Sequence, residues 1–277
     1  MLQRLLWGCR FGMPLKGRKR KPSAQRRKER RKPQRQEIKN VVFFVFLCVL
    51  CHSAVNAYIS LTNVMSKSSF TPLLAPIGFY PVVPTAAWVA RLLGWGVRTI
   101  QLRTKTADHA PADIAAEVTA AIKAGKAVPG AQVFINDHWQ LALSLGAYGV
   151  HLGQEDLDSA DIEALRSAGI RLGLSTHTPA ELARAKAVQP SYLAIGPIYP
   201  TTLKVMPYEP VGLERLAKWA QLAAPYPVVA IGGISLERLP GVLACGVQGA
   251  AVVSAVTLAA DPQAATRLGL QLAKALP

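Results

Sequence analysis

Residues 132–153, QVFINDHWQLALSLGAYGVHLG, hold one complete strand–helix–strand unit. QVFIN (132–136) is a short β-rich run, residues 138–146 have helical spacing, and YGVHLG (148–153) is a second β-rich run. Gly146 stops the helix and feeds the next strand. Strands alternating with helical runs point to βα units and a parallel sheet. Both strands are near-continuous apolar runs, as expected when both faces of a strand are covered. Polar residues collect at the strand ends: Asn136 and Asp137 after the first, Gln154, Glu155 and Asp156 after the second.

The same alternation extends outward. Strands are predicted at 77–83, 97–102, 132–136, 148–153, 171–175, 191–196, 227–233 and 249–254. Helices are predicted near 85–94, 110–126, 138–146, 158–168, 178–188, 211–223, 235–244 and 261–275. Eight regular repeats favour a closed α/β architecture, a (β/α)8 TIM barrel, over an open doubly wound sheet. The barrel is assigned to residues 76–277.

The residues ahead of it differ in kind. The whole chain has 277 residues and a formal net charge of +16. Residues 1–39 carry fifteen Lys and Arg against Glu29 and Glu37, which leaves +13 in that stretch. From Ser68 onward, sixteen Lys and Arg face fourteen Asp and Glu, so the barrel is nearly neutral and offers no basic surface for nucleic acid. The basic run is expected to be disordered, because like charges repel and few apolar groups are available for burial. Residues 40–66 contain no Asp, Glu, Lys or Arg. The most apolar part, Val41 to Cys51, is shorter than the ~20 residues that span a bilayer. Three readings compete for 1–65: a membrane anchor through 41–61, an export signal, or sequence upstream of the true start at Met65. The third is preferred, since Met65 leads through a short polar run into the first strand. Of Cys9, Cys48, Cys51 and Cys245, only Cys245 falls in the barrel, so no disulfide framework supports it. A reducing, cytoplasmic setting follows, with membrane association only if 41–61 is translated and inserted.

In such barrels chemistry sits at the C-terminal strand ends. Gln101, Arg103 and Lys105 alternate along one strand face and are expected to point together, a set suited to a diphosphate or to a salt-bridged strand end. Asp137 and Asp156 follow neighbouring strands and suit a hard cation such as Mg²⁺; Asp156 has the alternative of capping the helix expected from about Asp158. Ser175 is placed to hydrogen-bond a heteroaromatic ring, Thr178 before Pro179 reads as a helix cap, and His177 is read as structural. The loop 196–204 offers Thr201, Thr202 and Lys204. Gly232, Gly233, Val253 and Ser254 occupy the turns where such barrels often hold phosphate, with tight packing of loop on helix as the other reading of the glycines.

Eight motifs, GFYPVV, QLRTK, FINDHWQLAL, GVHLGQEDL, LGLSTHT, GPIYPTTLK, VVAIGGIS and AAVVSAV, stand in an order and spacing that resemble the thiamine-phosphate synthase family across essentially the whole barrel. The resemblance implies a Mg²⁺-dependent transferase that joins a pyrimidine diphosphate to a thiazole phosphate, plain or carboxylated, with diphosphate leaving by a dissociative path. It implies that Gln101, Arg103, Lys105, Asn136, Ser175 and Lys204 hold the pyrimidine diphosphate, with Arg103, Lys105 and Lys204 carrying the catalytic charge. Asp137 and Asp156 match metal positions. Thr201, Thr202, Leu203, Gly233, Val253 and Ser254 fall where the thiazole phosphate is gripped. Two departures stand out. Leu203 replaces a threonine common in the family, so one hydroxyl is lost or comes from Thr202; Thr104 replaces a common glutamate and is expected to face away from the site. Residues 1–65 have no counterpart. The rivals are a thiazole tautomerase on the same barrel, which needs no diphosphate and metal pocket, and a ligand-sensing barrel tethered to a membrane. Expected partners are the two small-molecule substrates; self-association into a homo-oligomer is left open.

Overall fold

A computed structural model describes residues 69–201 and 208–274. Eight parallel strands close into one barrel in sequence order. They are β1 (Gly78–Val83), β2 (Thr99–Leu102), β3 (Gln132–Asn136), β4 (Gly149–Leu152), β5 (Arg171–Thr176), β6 (Tyr192–Ile195), β7 (Val228–Ile231) and β8 (Gly249–Val252). Pairing of β1 with β8, Gly78 opposite Gly249 through Pro81 opposite Val252, completes the ring. The expected (β/α)8 barrel is the observed fold. The segment 41–61 lies outside the described residues; among the described residues, no helix is long and apolar enough to cross a membrane.

Some of the helices begin where the sequence supplies a cap. Helix α1 (Ala86–Gly94) starts behind Thr85, whose hydroxyl accepts from Trp88 N–H at 3.4 Å. Helix α2 (Pro111–Lys126) and helix α3 (Trp139–Ser144) follow β2 and β3. The single helix expected at 158–168 is two: α4 (Asp156–Ser159) and α5 (Ile162–Ser167), the second capped by Asp161, which accepts from Ala164 N–H at 2.9 Å. Helix α6 (Pro179–Ala187) is capped by Thr178 as the sequence suggests, with Pro179 in its first turn. Helices α7 (Gly212–Ala223) and α8 (Leu239–Leu243) are followed by a four-residue turn, α9 (Ser254–Thr257), that the sequence reading placed partly in β8. Helix α10 (Pro262–Lys274) ends the described chain.

Two cores result from the alternation of side chains across each strand. The outer core lies between strands and helices and includes Val83, Leu102, Ile135, Leu152, Leu174 and Ile195. The inner core fills the barrel with Tyr80, Val82, Phe134, Tyr192, Ala194, Val229 and Ala251. The rings of Tyr80, Phe134 and Tyr192 stand 5.1–6.1 Å apart in tilted and edge-on pairs. Small residues make room for them. A β-carbon on Gly173 would sit 2.1 Å from Tyr192 Cζ, and one on Gly149 would sit 2.4 Å from Phe134 Cε1.

The N-terminal end of the barrel is closed by residues 70–75. Phe70 is buried beneath the guanidinium of Arg166, 4.9 Å from its ring centre. Buried Gln132 donates to Ala75 O and to Thr99 Oγ1, and accepts from Leu74 N–H and the Tyr148 hydroxyl. Arg171 Nε donates to Pro72 O at 2.9 Å, and Ser191 Oγ to Thr71 O at 2.7 Å. The polypeptide is therefore integrated into the fold from Phe70, ahead of the boundary expected at 76.

Gly173→Ala is expected to push Tyr192 out of place and cost about 1–3 kcal/mol. In thermal unfolding that is a fall of about 2–4 °C per kcal/mol for a domain of this size. Gly94→Ala, which meets nothing within 4 Å in helix α1, is the control and should leave the midpoint unchanged or raise it slightly.

Candidate active site

The C-terminal ends of the strands surround a cleft of about 540 Å³. Gln101, Arg103, Asn136, Asp137, Asp156, Ser175, Thr201, Gly233, Val253 and Ser254, ten of the residues singled out from sequence, line it. Thr202, Leu203 and Lys204 lie outside the described residues.

On β2 the alternation holds for as long as the hydrogen-bond ladder does. Gln101 faces inward and is buried, Leu102 packs into the outer core, and Arg103, whose N–H still bonds Val83 O at 2.8 Å, reaches the cleft. Thr104 turns away as expected and is buried, its hydroxyl on Pro84 O at 3.0 Å. There the ladder ends. Lys105 is exposed and does not line the cleft, against the expectation that it points with Gln101 and Arg103. Among the described residues Arg103 makes no ion pair, which leaves its guanidinium open to an anion.

Asp137 follows β3 in the left-handed region, φ 61°, with its N–H on His151 O at 3.0 Å. Asp156 opens α4, and its Oδ2 accepts from Gly153 N–H at 3.1 Å. The cap of the next helix is Asp161, so Asp156 is not spent on capping that helix. Burial first, and then the facing carboxylate of Asp156, raise the Asp137 carboxyl to about 6, with Arg103 offsetting part of the effect. Two oxygen-donor side chains that repel one another at the edge of a cleft fit a divalent cation such as Mg²⁺, which takes one or two carboxylates and fills its shell with water and phosphate oxygen. Among the described residues no third His, Cys, Asp or Glu joins them.

Three side chains escaped the sequence reading. His151 on β4 bridges Tyr192 Oη (2.7 Å) and Ser175 Oγ (2.8 Å). Burial, with Arg103 and His177 nearby, lowers its pKa to about 4, so the ring is neutral near pH 7. Glu181 accepts from His177 N–H at 2.7 Å and lies 2.8 Å from His177 Nδ1. Tyr208 donates to Glu181 Oε1 at 3.0 Å and stacks on the His177 ring at 4.8 Å. The signal for Glu181 was present: Thr178-Pro-Ala-Glu181 is a capping-box pattern, in which the third helical residue reaches back over the helix start. His177, Glu181 and Tyr208 all line the cleft.

Opposite the carboxylates stand the turns after β7 and β8. Gly233 has φ 66°, and a β-carbon there would meet Pro200 O at 2.6 Å and Tyr199 Cβ at 2.7 Å. Both the conformation and the close approach of the 197–200 loop require glycine. Close packing of that loop alone accounts for the residue type. Ser254, the first residue of α9, is exposed to the cleft.

Fold and cleft together define an α/β-barrel enzyme with its polar side chains gathered at one mouth. A sequence model described as thiamine monophosphate synthase matches residues 79–256. The chain is 53% identical over 211 residues to a thiamine-phosphate synthase of Enterobacter sp. (strain 638), covering 76% of this chain and 99% of that protein. It is 54% identical, over the same length and coverage, to one from Klebsiella pneumoniae. Among solved structures, a thiamine phosphate pyrophosphorylase from Pyrococcus furiosus superposes with a TM-score of 0.62 at 31% identity, covering 72% of this chain and 96% of that one. A 3-hexulose-6-phosphate synthase from Salmonella typhimurium, TM-score 0.56 at 19% identity over 71% and 98% of the two chains, shares the barrel alone. The chain belongs to the thiamine monophosphate synthase family.

The neutral state of His151 has a measurable consequence. The side chain takes up its proton near 6.5 when unfolded and only near 4 in the barrel. The unfolded state binds more protons between those values, so this contribution to stability is complete above about 6.5 and is lost as pH falls through 4. Urea unfolding from pH 7 to 4 should show a loss on the order of 3 kcal/mol in the native protein that His151→Gln lacks. Equal pH slopes in both proteins would mean that the imidazole takes up its proton as readily in the fold as in the unfolded chain.

Proposed function

We propose that the chain is a thiamine-phosphate synthase that joins an aminopyrimidine methyl diphosphate to a thiazole phosphate, giving thiamine phosphate and diphosphate. The observation that carries this reading is one cleft with two unlike walls. Asp137, Asp156 and Arg103 stand on the β2–β4 side, and the Gly233 and Ser254 turns stand on the β7–β8 side. That division supports a reading in which the anionic groups of two different substrates take separate places.

In this reading Gln101, Asn136 and Ser175 hold the pyrimidine, and Arg103 neutralises its diphosphate. Lys105, being exposed, draws the anion in from solution rather than gripping it. Lys204 is assigned to the same diphosphate. Thr201, Thr202, Leu203, Gly233, Val253 and Ser254 form the thiazole phosphate site. Asp137 and Asp156 would hold Mg²⁺, which when bound supplies Lewis-acid neutralisation of the leaving diphosphate. The bond from the pyrimidine methylene to the diphosphate oxygen breaks, the electron pair leaves with diphosphate, and the thiazole nitrogen bonds to the methylene carbon. That nitrogen carries no proton, so no general base is required; the protein's work is positioning and charge. His177 and Glu181 are accounted for by the cap of α6. A tautomerase would have no use for the carboxylate pair. A cytoplasmic setting belongs to the proposal, since Cys245 is a free thiol and the substrates are soluble phosphate esters.

The test is to mix the full chain, and separately residues 66–277, with both substrates and Mg²⁺ and to follow thiamine phosphate. Product that disappears with EDTA is expected; a folded protein that binds both compounds and makes no product would favour the sensing barrel. Asp156→Ala should lower kcat by on the order of 10²-fold or more with the circular dichroism spectrum unchanged. Near-normal turnover of that variant would remove Asp156 from the metal site.

A further inference from the structure

A continuous hydrogen-bonded chain crosses the barrel interior beneath the cleft. Gln101 Nε2 donates to Tyr80 Oη at 3.2 Å, and Tyr80 Oη lies 3.0 Å from Tyr192 Oη. Tyr192 Oη lies 2.7 Å from His151 Nδ1, and His151 Nε2 lies 2.8 Å from Ser175 Oγ. The links pass through β2, β1, β6, β4 and β5 in turn. Gln101, Tyr80, Tyr192 and His151 are each at most 4% exposed. The two ends, Gln101 and Ser175, line the cleft together with His151, while Tyr80 and Tyr192 lie beneath it.

Such a chain has a direction. Each tyrosine hydroxyl has one hydrogen to give, and a neutral imidazole has one N–H and one bare nitrogen. A link that gave twice or not at all would leave a buried polar group unpaired. Two arrangements satisfy every member. In the first, Gln101 gives an N–H into the chain and turns its carbonyl oxygen to the cleft. Donation then runs through Tyr80 and Tyr192 to His151 Nδ1. His151 Nε2–H donates to Ser175, whose own hydrogen is free to point into the cleft. The second arrangement is the reverse, with the Gln101 amide hydrogens and a Ser175 lone pair facing the cleft. The amide orientation here is that of the first. In neither can both ends donate to the cleft at once: when one gives its hydrogen outward, the other offers an acceptor.

We propose that Tyr80, Tyr192 and His151 are positioning residues that couple Gln101 to Ser175, so that the two never both donate to a heteroaromatic ring. This rests on the reading that the cleft holds an aminopyrimidine, whose amine donates and whose ring nitrogens accept. The amine matches the Gln101 carbonyl, and a ring nitrogen matches the Ser175 hydroxyl. A ring with two acceptors at those places is refused, because both ends would have to donate outward and the buried chain allows only one of them to do so. None of the three residues needs to touch the reacting atoms.

Coupling is measurable as a departure from multiplicative effects. KM for the pyrimidine diphosphate would be determined for the native full chain, Gln101→Met, Ser175→Ala and the double variant, and then for the same four in a Tyr192→Phe background. KM is independent of the fraction of enzyme that is folded, so partial loss of protein does not distort the comparison. In the native background the double variant should fall short of the product of the single effects by about fivefold or more. In the Tyr192→Phe background the effects should multiply to within about twofold. KM for the thiazole phosphate should be unmoved by Tyr192→Phe. Tyr80→Phe breaks the same chain at another link and should abolish the coupling equally, which serves if Tyr192→Phe does not fold. A purely structural role would lower thermal stability and leave the coupling in place, and that result overturns the proposal, as does multiplicative behaviour in the native background. Absence of product from the native chain overturns the functional reading and this proposal with it. Product without coupling overturns this proposal alone.

Discussion

Everything at the mouth depends on the pairing of β1 with β8. Four register pairs, Gly78–Gly249 to Pro81–Val252, join the first strand to the last. The approach is close: a β-carbon on Gly249 would stand 2.6 Å from Ile77 Cγ2 and 2.8 Å from Gly78 O. Gln248 ties the seam, accepting Gly78 N–H on its backbone oxygen and Val228 N–H on its side chain. Closure leaves no strand edge to protect. It also makes every strand end on the same rim, because all eight run the same way. Residues as far apart in sequence as Gln101 and Ser254 meet there for that reason alone.

Closure also sets what lies beneath the rim. The barrel interior has to be filled, and it is filled with aromatic rings in the space left by Gly149 and Gly173. Rings bring large apolar area, but tyrosines bring hydroxyls that have to be paired when buried. Burial holds the Tyr80 and Tyr192 hydroxyls protonated, well above the usual phenol range. The pairing they find runs to Gln101 on one side and His151 on the other. The packing solution and the polar chain under the cleft are thus the same side chains.

The barrel was legible from sequence because buried parallel strands appear as apolar runs and Thr178 before Pro179 marks a helix start. What pattern alone did not carry was where the ladder ends. Period-two alternation assigned Lys105 to the face of Gln101, yet β2 stops at Leu102, and Thr104 is tied to Pro84 O. Turns of four residues at Asp156 and Ser254 are too short for helical periodicity to register. Tyr80 and Tyr192 read as strand filling because their partners are across the barrel, 112 residues apart for the two hydroxyls that meet. Glu181 was different: its capping-box spacing with Thr178 is in plain view in the sequence.

The electrostatics of the cleft bear on the order in which its occupants arrive. Asp137 and Asp156 face one another, and burial with this repulsion holds the Asp137 carboxyl at about 6, so the pair sits uneasily as two bare charges. Arg103 offsets only part of that, and Lys105 stands outside the cleft. A diphosphate entering alone would add further negative charge beside two carboxylates and be repelled. A divalent cation relieves both repulsions at once, and two carboxylates leave most of its shell for phosphate oxygen and water. Under the proposed function, the protein's contribution is therefore a deliberately incomplete site, one that binds its metal and its diphosphate better together than either alone. On the same proposal the thiazole phosphate, assigned to the Gly233 and Ser254 turns across the cleft, does not share that charge problem, and its affinity should be nearly independent of the carboxylate pair.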